Sequence, residues 1–296
     1  MGLLDGKVAI VTGAGGGLGR AHALLLAKEG AAVVVNDLGG SRDGTGAGHN
    51  MADQVVQEIK EAGGKAVADY GNVTSEADAR AMVQKAVDEF GKLDIMIANA
   101  GILRDKSFKN MTNEMWDLVI DVHLKGTYLT VKAAYDQMLT QETGGNIVVT
   151  SSTSGLLGNF GQANYGAAKA GIAGLMRCLA PEGLKYNVRV NVLAPAAWSR
   201  MTADIFPEGQ NMEELLSPDK VSPAIVWLCS DEAKDITGRT FLIAGNSVQL
   251  LSWQSHTLAI KDNREAPWDP TEVGAKILEN FDKWPKGPQP TPREFE

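Results

Sequence analysis

The sequence predicts an α/β fold: a parallel sheet wound by helices on both faces. Three observations carry that prediction. Short apolar runs recur along the chain, helical stretches separate them, and a glycine-rich turn joins the first run to the first helix. Val8-Ala9-Ile10-Val11 is the first buried-strand run, and residues 18–29 read as a helix that stops at Gly30. Ala31 to Asn36 is the second strand, with Val33-Val34-Val35 at its centre, and a glycine-rich loop from Gly39 to Gly48 follows. A helix over 51–62 stops at Gly63-Gly64, Lys65 to Asp69 is the third strand, and a helix over 75–90 ends at Gly91. Leu93 to Ala98 is the fourth strand, followed by a long helical stretch over 112–140. Asn146 to Ser151 is the fifth strand, a helix runs on to about 180, and Val188 to Leu193 is the sixth strand. Residues 218–230 are helical and 240–244 form a last strand. This alternation implies a Rossmann-type doubly wound parallel sheet.

No repeat or linker divides the body, so residues 1–255 read as one domain and 256–296 as a proline-rich C-terminal extension. Six of the eleven prolines fall after residue 266, which disfavours long helices there and leaves room for one short helix over 271–282. The tail reads as an arm packed on its own subunit or on a neighbour.

Hydrophobic residues make up 44% of the chain, enough for a sizeable core. The net charge of −8 and a pI near 5.1 argue against nucleic acid or an anionic membrane as the main partner, and leave room for a small-molecule substrate, an anionic one included, which needs only a local basic patch. Cys178 and Cys229 stand apart with no Cys/His cluster, so neither a metal site nor a disulfide framework is expected. Both are expected reduced in packed helices, as in a cytoplasmic protein. No apolar run reaches the roughly 18 to 20 residues that span a bilayer, and the N-terminus enters a strand at once without a secretory pattern.

Two constellations carry chemistry. The first is Thr12-Gly13-Ala14-Gly15-Gly16-Gly17-Leu18-Gly19, at the first strand–helix junction. Glycines there permit a tight turn and let backbone N–H groups approach a pyrophosphate at a helix N-terminus. Asp37 closes the second strand, where a carboxylate accepts both ribose hydroxyls of adenosine and repels a 2′-phosphate, which favours NAD over NADP. Its alternative is a loop-capping carboxylate. Arg20 keeps NADP open, whereas Leu38 follows Asp37 where a phosphate-binding arginine would help. Asn72-Val73 is expected at the end of the third strand beside adenine. Asn99-Ala100-Gly101 is expected at the end of the fourth, where small residues admit the nicotinamide ribose.

The second constellation is Tyr165-Gly166-Ala167-Ala168-Lys169, with Ser152 thirteen residues upstream. Residues four apart share one helix face. An ammonium near a phenol favours loss of the phenolic proton, which makes a proton shuttle near neutral pH. Ser151 and Ser154 are rivals to Ser152.

Together these residues resemble the short-chain dehydrogenase/reductase family over about residues 5–250. The motif set is Thr12-Gly13-x3-Gly17-x-Gly19, Asn99-Ala100-Gly101, Ser152, Tyr165-x3-Lys169 and Pro195. A narrower resemblance lies in Val35 to Gly40, Gly101 to Phe108, Gly158 to Tyr165 and Ser199-Arg200-Met201-Thr202. It is to the dehydrogenase part of the type 2 peroxisomal multifunctional enzymes, here as a stand-alone domain. The resemblance implies oxidation of a (3R)-hydroxyacyl-CoA to the 3-ketoacyl-CoA with NAD, in β-oxidation of fatty-acid or steroid side chains. Tyr165 would be the base, Ser152 the hydrogen-bond donor to the reacting oxygen, and Lys169 the residue that lowers the tyrosine pKa and holds the ribose. The family carries an asparagine where this chain has His123. That residue is either a fourth catalytic member or a helix residue whose ring is satisfied by a neighbour. The resemblance also implies a homodimer or homotetramer, built through the two long helices and small residues such as Ala168, Gly171 and Gly174. Arg104 and Lys106 are candidates for a CoA phosphate, and a substrate lid is expected around 202–216. Competing readings are a hydroxysteroid dehydrogenase or 3-oxoacyl carrier-protein reductase, and a catalytically silent NAD-binding scaffold.

Overall fold

A computed structural model describes residues 2–198, 211–253, 255, 257–261 and 267–279. Strands β1 (Val8–Thr12), β2 (Ala32–Asn36), β3 (Lys65–Asp69), β4 (Ile95–Ala98), β5 (Gly145–Thr150), β6 (Val188–Ala196), β7 (Thr240–Ala244) and β8 (Ser247–Leu251) form one sheet, ordered β3-β2-β1-β4-β5-β6-β7-β8. All neighbours pair in parallel except β7 and β8. The order reverses between β1 and β4, so a crevice opens beyond their C-terminal ends, where ligands of such sheets bind.

The antiparallel β8 is an element the sequence reading lacks. Gly245, at φ +52°, turns the chain straight back along β7. The residues that follow alternate between half-buried and exposed, as on a sheet edge, and so lack the continuous apolar run that marks the inner strands.

Helices α1 (Gly17–Lys28), α2 (Asn50–Glu61), α3 (Glu76–Phe90), α4 (Asn113–Val119), α5 (Gly126–Thr140), α6 (Thr153–Leu156), α7 (Ala163–Gly183), α8 (Met212–Leu215) and α9 (Ser222–Cys229) complete the first of two compact units, Met1–Leu251. Period-two alternation splits its core into two layers. Ala9, Val11, Val33 and Val35 pack with Leu26, Val55, Ile59 and Ile225 of α1, α2 and α9. Val8, Ile10 and Val34 pack on the other face with Met82, Val131, Met138, Ile172 and Met176 of α3, α5 and α7. Boundaries follow local chemistry: the Ser75 hydroxyl accepts from Asp78 N–H to start α3, and Gly91, at φ 85°, ends it. The second unit, Ser252–Glu296, contains α10 (Pro270–Leu278), whose first N–H groups are capped by the Asp269 carboxylate.

The single helix expected over 112–140 is three pieces. A π-helical segment, Ile120–Lys125, separates α4 from α5. His123 lies within it and turns into the protein, and a widened turn of this kind often sits at a functional site. Two of the small residues expected at a subunit interface also pack within the chain: Ala168 is fully buried, and a Cβ on Gly171 would stand 2.9 Å from Leu124. Cys229 is buried, as expected, but Cys178 is exposed on α7. Among the described residues no helix is long and apolar enough to cross a membrane, and no cluster of metal-ligating side chains occurs.

Two buried histidines make the fold acid-sensitive. His22 bonds Ser222 Oγ at 2.8 Å with its Nδ1, and burial pushes the pKa of both His22 and His123 down to about 3. The unfolded chain takes up these protons below its ordinary pKa near 6.5 and the folded chain does not. Stability is therefore complete above about pH 6.5 and falls as pH drops towards 3, each histidine costing about tenfold in the folding constant per pH unit. Denaturant midpoints measured from pH 7.5 to pH 4.5 are expected to fall, less steeply in His22→Asn. A flat profile would contradict the buried neutral assignment.

Candidate active site

The β1–α1 turn presents bare backbone. Gly16 caps α1 without a side-chain hydrogen bond, and the first turn holds no acidic residue, so its N–H groups face the crevice with a favourable dipole for an anion. Gly13 has φ +63°, and a Cβ there would stand 2.8 Å from Ala100 Cα. A Cβ on Gly19 would stand 2.1 Å from the Gly13 carbonyl oxygen, and one on Gly15 2.8 Å from Asp37 Oδ2. The cradle exists because these positions lack side chains, which fits a dinucleotide pyrophosphate. Gly17, at φ +52°, and Leu18 continue it into α1.

Asp37 follows β2 directly. Its Oδ2 accepts from Gly15 N–H at 2.8 Å and its Oδ1 from Gly39 N–H at 2.7 Å. It therefore caps the loop, and each oxygen retains capacity for a further hydrogen bond. Arg20 is engaged with Glu58. Asn72 and Val73 lie beyond β3, which ends at Asp69, rather than at its last positions. Asn72 Oδ1 closes a turn on Thr74, accepting from its N–H at 3.0 Å, and Val73 is buried.

Asn99, Ala100 and Gly101 follow β4. The Asn99 amide donates to the carbonyls of Thr12 (3.0 Å) and Gly13 (3.2 Å), and the Thr12 hydroxyl accepts from the N–H groups of Asn99 and Ala100. The two segments brace each other, a role the sequence reading missed although both lie in its motifs. A Cβ on Gly101 would stand 2.3 Å from His123 Cε1, so this glycine makes room for the histidine.

Ser152 ends the β5 side of the crevice and α7 supplies Tyr165 and Lys169. Three serines compete there, and their partners separate them. Ser151 donates to the Lys169 carbonyl (2.8 Å) and Ser154 to Gln162 Oε1 (2.7 Å). Ser152 Oγ accepts from Ser154 N–H at 3.1 Å. Burial pushes the Tyr165 phenol up to about 12, the Ser152 hydroxyl draws it down, and the Asp105 charge adds to the rise. Lys169 Nζ donates to the Thr150 carbonyl at 2.7 Å and lies 5.6 Å from the tyrosine ring centre. Burial lowers its pKa to about 7. The expectation that the ammonium lowers the tyrosine pKa is thus not met in the protein alone: the lysine points at a carbonyl, and desolvation disfavours both charged forms.

His123 stands edge-on to Tyr165, with ring centres 5.1 Å apart at 88°. Its Nε2 lies 2.7 Å from the Ile102 carbonyl and 3.1 Å from the Ile102 N–H. Its Nδ1 is buried with no partner among the described residues. Burial, with the Lys169 charge, pushes its pKa down to about 3, which keeps the ring neutral near neutral pH. Asn164, fully buried, accepts from Tyr165 N–H with Oδ1 (2.8 Å) and donates to the carbonyls of Arg104 and Met115. Pro195 sits near the end of β6, beside Ile243 of β7. Ser199 to Thr202, and most of the expected lid, lie outside the described residues. Arg104 Nε donates to the Asp43 carbonyl at 2.8 Å.

Comparison with known proteins places this arrangement. A family model for short chain dehydrogenases matches residues 7–208. Hydroxyacyl-CoA dehydrogenase ChsB1 of Mycobacterium tuberculosis is 42% identical over 289 residues, covering 94% of this chain and 89% of that protein. Peroxisomal multifunctional enzyme type 2 of Mus musculus is 47% identical over 91% of this chain, which spans 36% of that enzyme's length. A crystal structure of a short chain dehydrogenase from Mycobacterium avium superposes with a TM-score of 0.85 at 44% identity, covering 97% of this chain and 98% of that one. A short chain dehydrogenase from Mycobacterium paratuberculosis bound to NAD superposes at 0.75 with 27% identity, covering 82% and 98%. A glycine cradle opposite a serine–tyrosine–lysine group, on a sheet shared with these dehydrogenases, makes the chain a member of the short-chain dehydrogenase/reductase family and an oxidoreductase acting on a CH–OH group.

Proposed function

We propose that the chain oxidises a (3R)-hydroxyacyl-CoA to the 3-ketoacyl-CoA with NAD. The observation that carries the chemistry is Tyr165 with buried Lys169 on the same helix, Lys169 Nζ 5.6 Å from the tyrosine ring centre, and the Ser152 hydroxyl drawing the phenol's pKa down. The substrate class is supported by the likeness to a hydroxyacyl-CoA dehydrogenase along nearly the whole chain. NAD is supported by Asp37 after β2, by Arg20 being paired with Glu58, and by the NAD-bound relative.

Bound NAD supplies the hydride acceptor. Gly15, Gly17, Leu18 and Gly19 would hold its pyrophosphate, Asp37 the adenosine ribose, and Asn72 and Val73 would lie towards the adenine. Asn99, Ala100, Gly101 and Pro195 would line the nicotinamide end, with Lys169 towards its ribose. The substrate hydroxyl lies between Ser152 and Tyr165. Tyr165, as phenolate, takes its proton; Ser152 donates to the oxygen as it becomes a carbonyl. Because the phenol must ionise from a pKa near 12, oxidation is faster as pH rises above neutrality.

Initial rates with (3R)- and (3S)-hydroxyacyl-CoA, a hydroxysteroid and a carrier-protein ester, each with NAD and NADP, test this reading. The (3R)-thioester with NAD is expected to lead in kcat/KM by about tenfold or more. Preference for a steroid, or for a carrier-protein ester with NADP, would replace it with the corresponding alternative.

A further inference from the structure

We propose that the glycine-rich insert between β2 and α2 is a strap across the cofactor crevice that sets how fast the dinucleotide enters and leaves. The proposal rests on the cofactor reading above. Residues 38–48 form a closed loop, with Gly48 N–H donating to the Leu38 carbonyl at 2.9 Å across its neck. Gly39, at φ +75°, turns the chain out of β2, and a Cβ there would stand 1.9 Å from the Gly48 carbonyl oxygen. Within the loop, Ser41 N–H donates to the Thr45 carbonyl (2.8 Å) and Gly44 N–H to the Ser41 carbonyl (3.0 Å). The Asp43 carboxylate accepts from the Ser41 and Thr45 hydroxyls. These bonds fix the shape of the tip, so it can move as one piece.

Both ends of the loop rest on the crevice. At the neck, Gly39 N–H donates to Asp37 Oδ1 (2.7 Å), and just beyond the loop a Cβ on Gly15 would stand 2.7 Å from Met51 Cβ. At the tip, Leu103 N–H donates to the Arg42 carbonyl (3.0 Å) and Arg104 Nε to the Asp43 carbonyl (2.8 Å). Gly44, at φ +83°, lies against Ile102, whose Cδ1 would stand 3.2 Å from a Cβ there. The seat of the tip is itself fixed: His123 bonds Ile102, and Asn164, next to Tyr165, bonds the Arg104 carbonyl. In the sheet β1 lies between β2 and β4. A loop that leaves β2 and docks beyond β4 therefore crosses the C-terminal end of β1, where the glycine cradle begins. A dinucleotide running from Asp37 past the cradle to residues 99–101 follows the same line. Residues 43–47 are exposed whereas Gly15 and Asp37 are half-buried, so the loop lies on the solvent side of that line.

Two hydrogen bonds at an exposed tip favour the closed strap by about tenfold or more, and still let it open. The dinucleotide passes only while the strap is open. A strap that closes equally well over the empty and the filled site slows association and dissociation by the same factor, and leaves the affinity nearly unchanged.

Gly39 and Gly48 touch, so joining them excises residues 40–47 without pulling on β2 or α2. Stopped-flow fluorescence of NADH reads both rate constants without turnover. Excision is expected to raise both by roughly tenfold or more, with Kd staying within about threefold. Arg104→Met removes one tip bond while keeping the side-chain stem, and is expected to raise both about threefold. Unchanged rates would overturn the strap. So would faster dissociation with slower association, which would mark the insert as an ordinary contact. Should the excised chain fail to fold, the single substitution decides. A wild-type chain that binds NADPH and not NADH counts against the proposed cofactor alone, and the same comparison run with NADPH still decides the strap.

Discussion

Tyr165→Phe is expected to lower kcat for alcohol oxidation by roughly a thousandfold while NAD affinity stays within about threefold. The loss is large because the groups around the phenol are poorly placed to take the proton in its stead. His123 is neutral with a pKa near 3, Lys169 is held on the Thr150 carbonyl, and Ser152 is a donor with no base behind it. The loss falls on kcat because the phenol acts on the transferred proton, whereas Phe retains the ring that His123 packs against. Steady-state rates together with calorimetric NAD titration separate these effects. Near-normal turnover would remove Tyr165 from its assigned role.

Gly19→Ala is expected to weaken NAD binding by about a hundredfold or more and to lower the thermal midpoint by several degrees. A Cβ at this position stands 2.1 Å from the Gly13 carbonyl oxygen and 2.7 Å from Asn99 Nδ2. Neither the α1 backbone nor the β1 turn can yield without breaking the Asn99 bonds to Thr12 and Gly13. The cradle would open and its N–H groups would no longer converge on one anion. Calorimetric titration and a melting curve read both effects. Wild-type affinity would show that the turn is more adaptable than its contacts imply. Gly15→Ala, facing the Met51 side chain and the Asp37 carboxylate instead of backbone, is expected to cost less.

The buried inner strands were legible because a doubly wound sheet demands apolar runs and leaves them uninterrupted. The boundaries of β3 agree at both ends, and those of α2 and α3 differ from the reading by a single residue. The edge strand β8 was not legible, since its half-exposed alternation is weak over five residues. The π-helical break at 120–125 was not legible either. Helical periodicity is nearly the same on both sides of it, and what sets it apart is the inward turn of His123. The three-serine ambiguity shows the same limit: Ser151, Ser152 and Ser154 are equivalent in type, and only their partners across space differ.

By itself the sequence determined the fold class, the phosphate cradle and the Tyr165–Lys169 pair. Each rests on local rules: period, glycine freedom, and four-residue spacing on a helix. Tertiary structure decided what those groups are electrostatically. Lys169 turns to Thr150, and His123 is buried against Tyr165 and held neutral. A proton affinity depends on burial and on charges that are close in space, and neither is a property of neighbours along the chain.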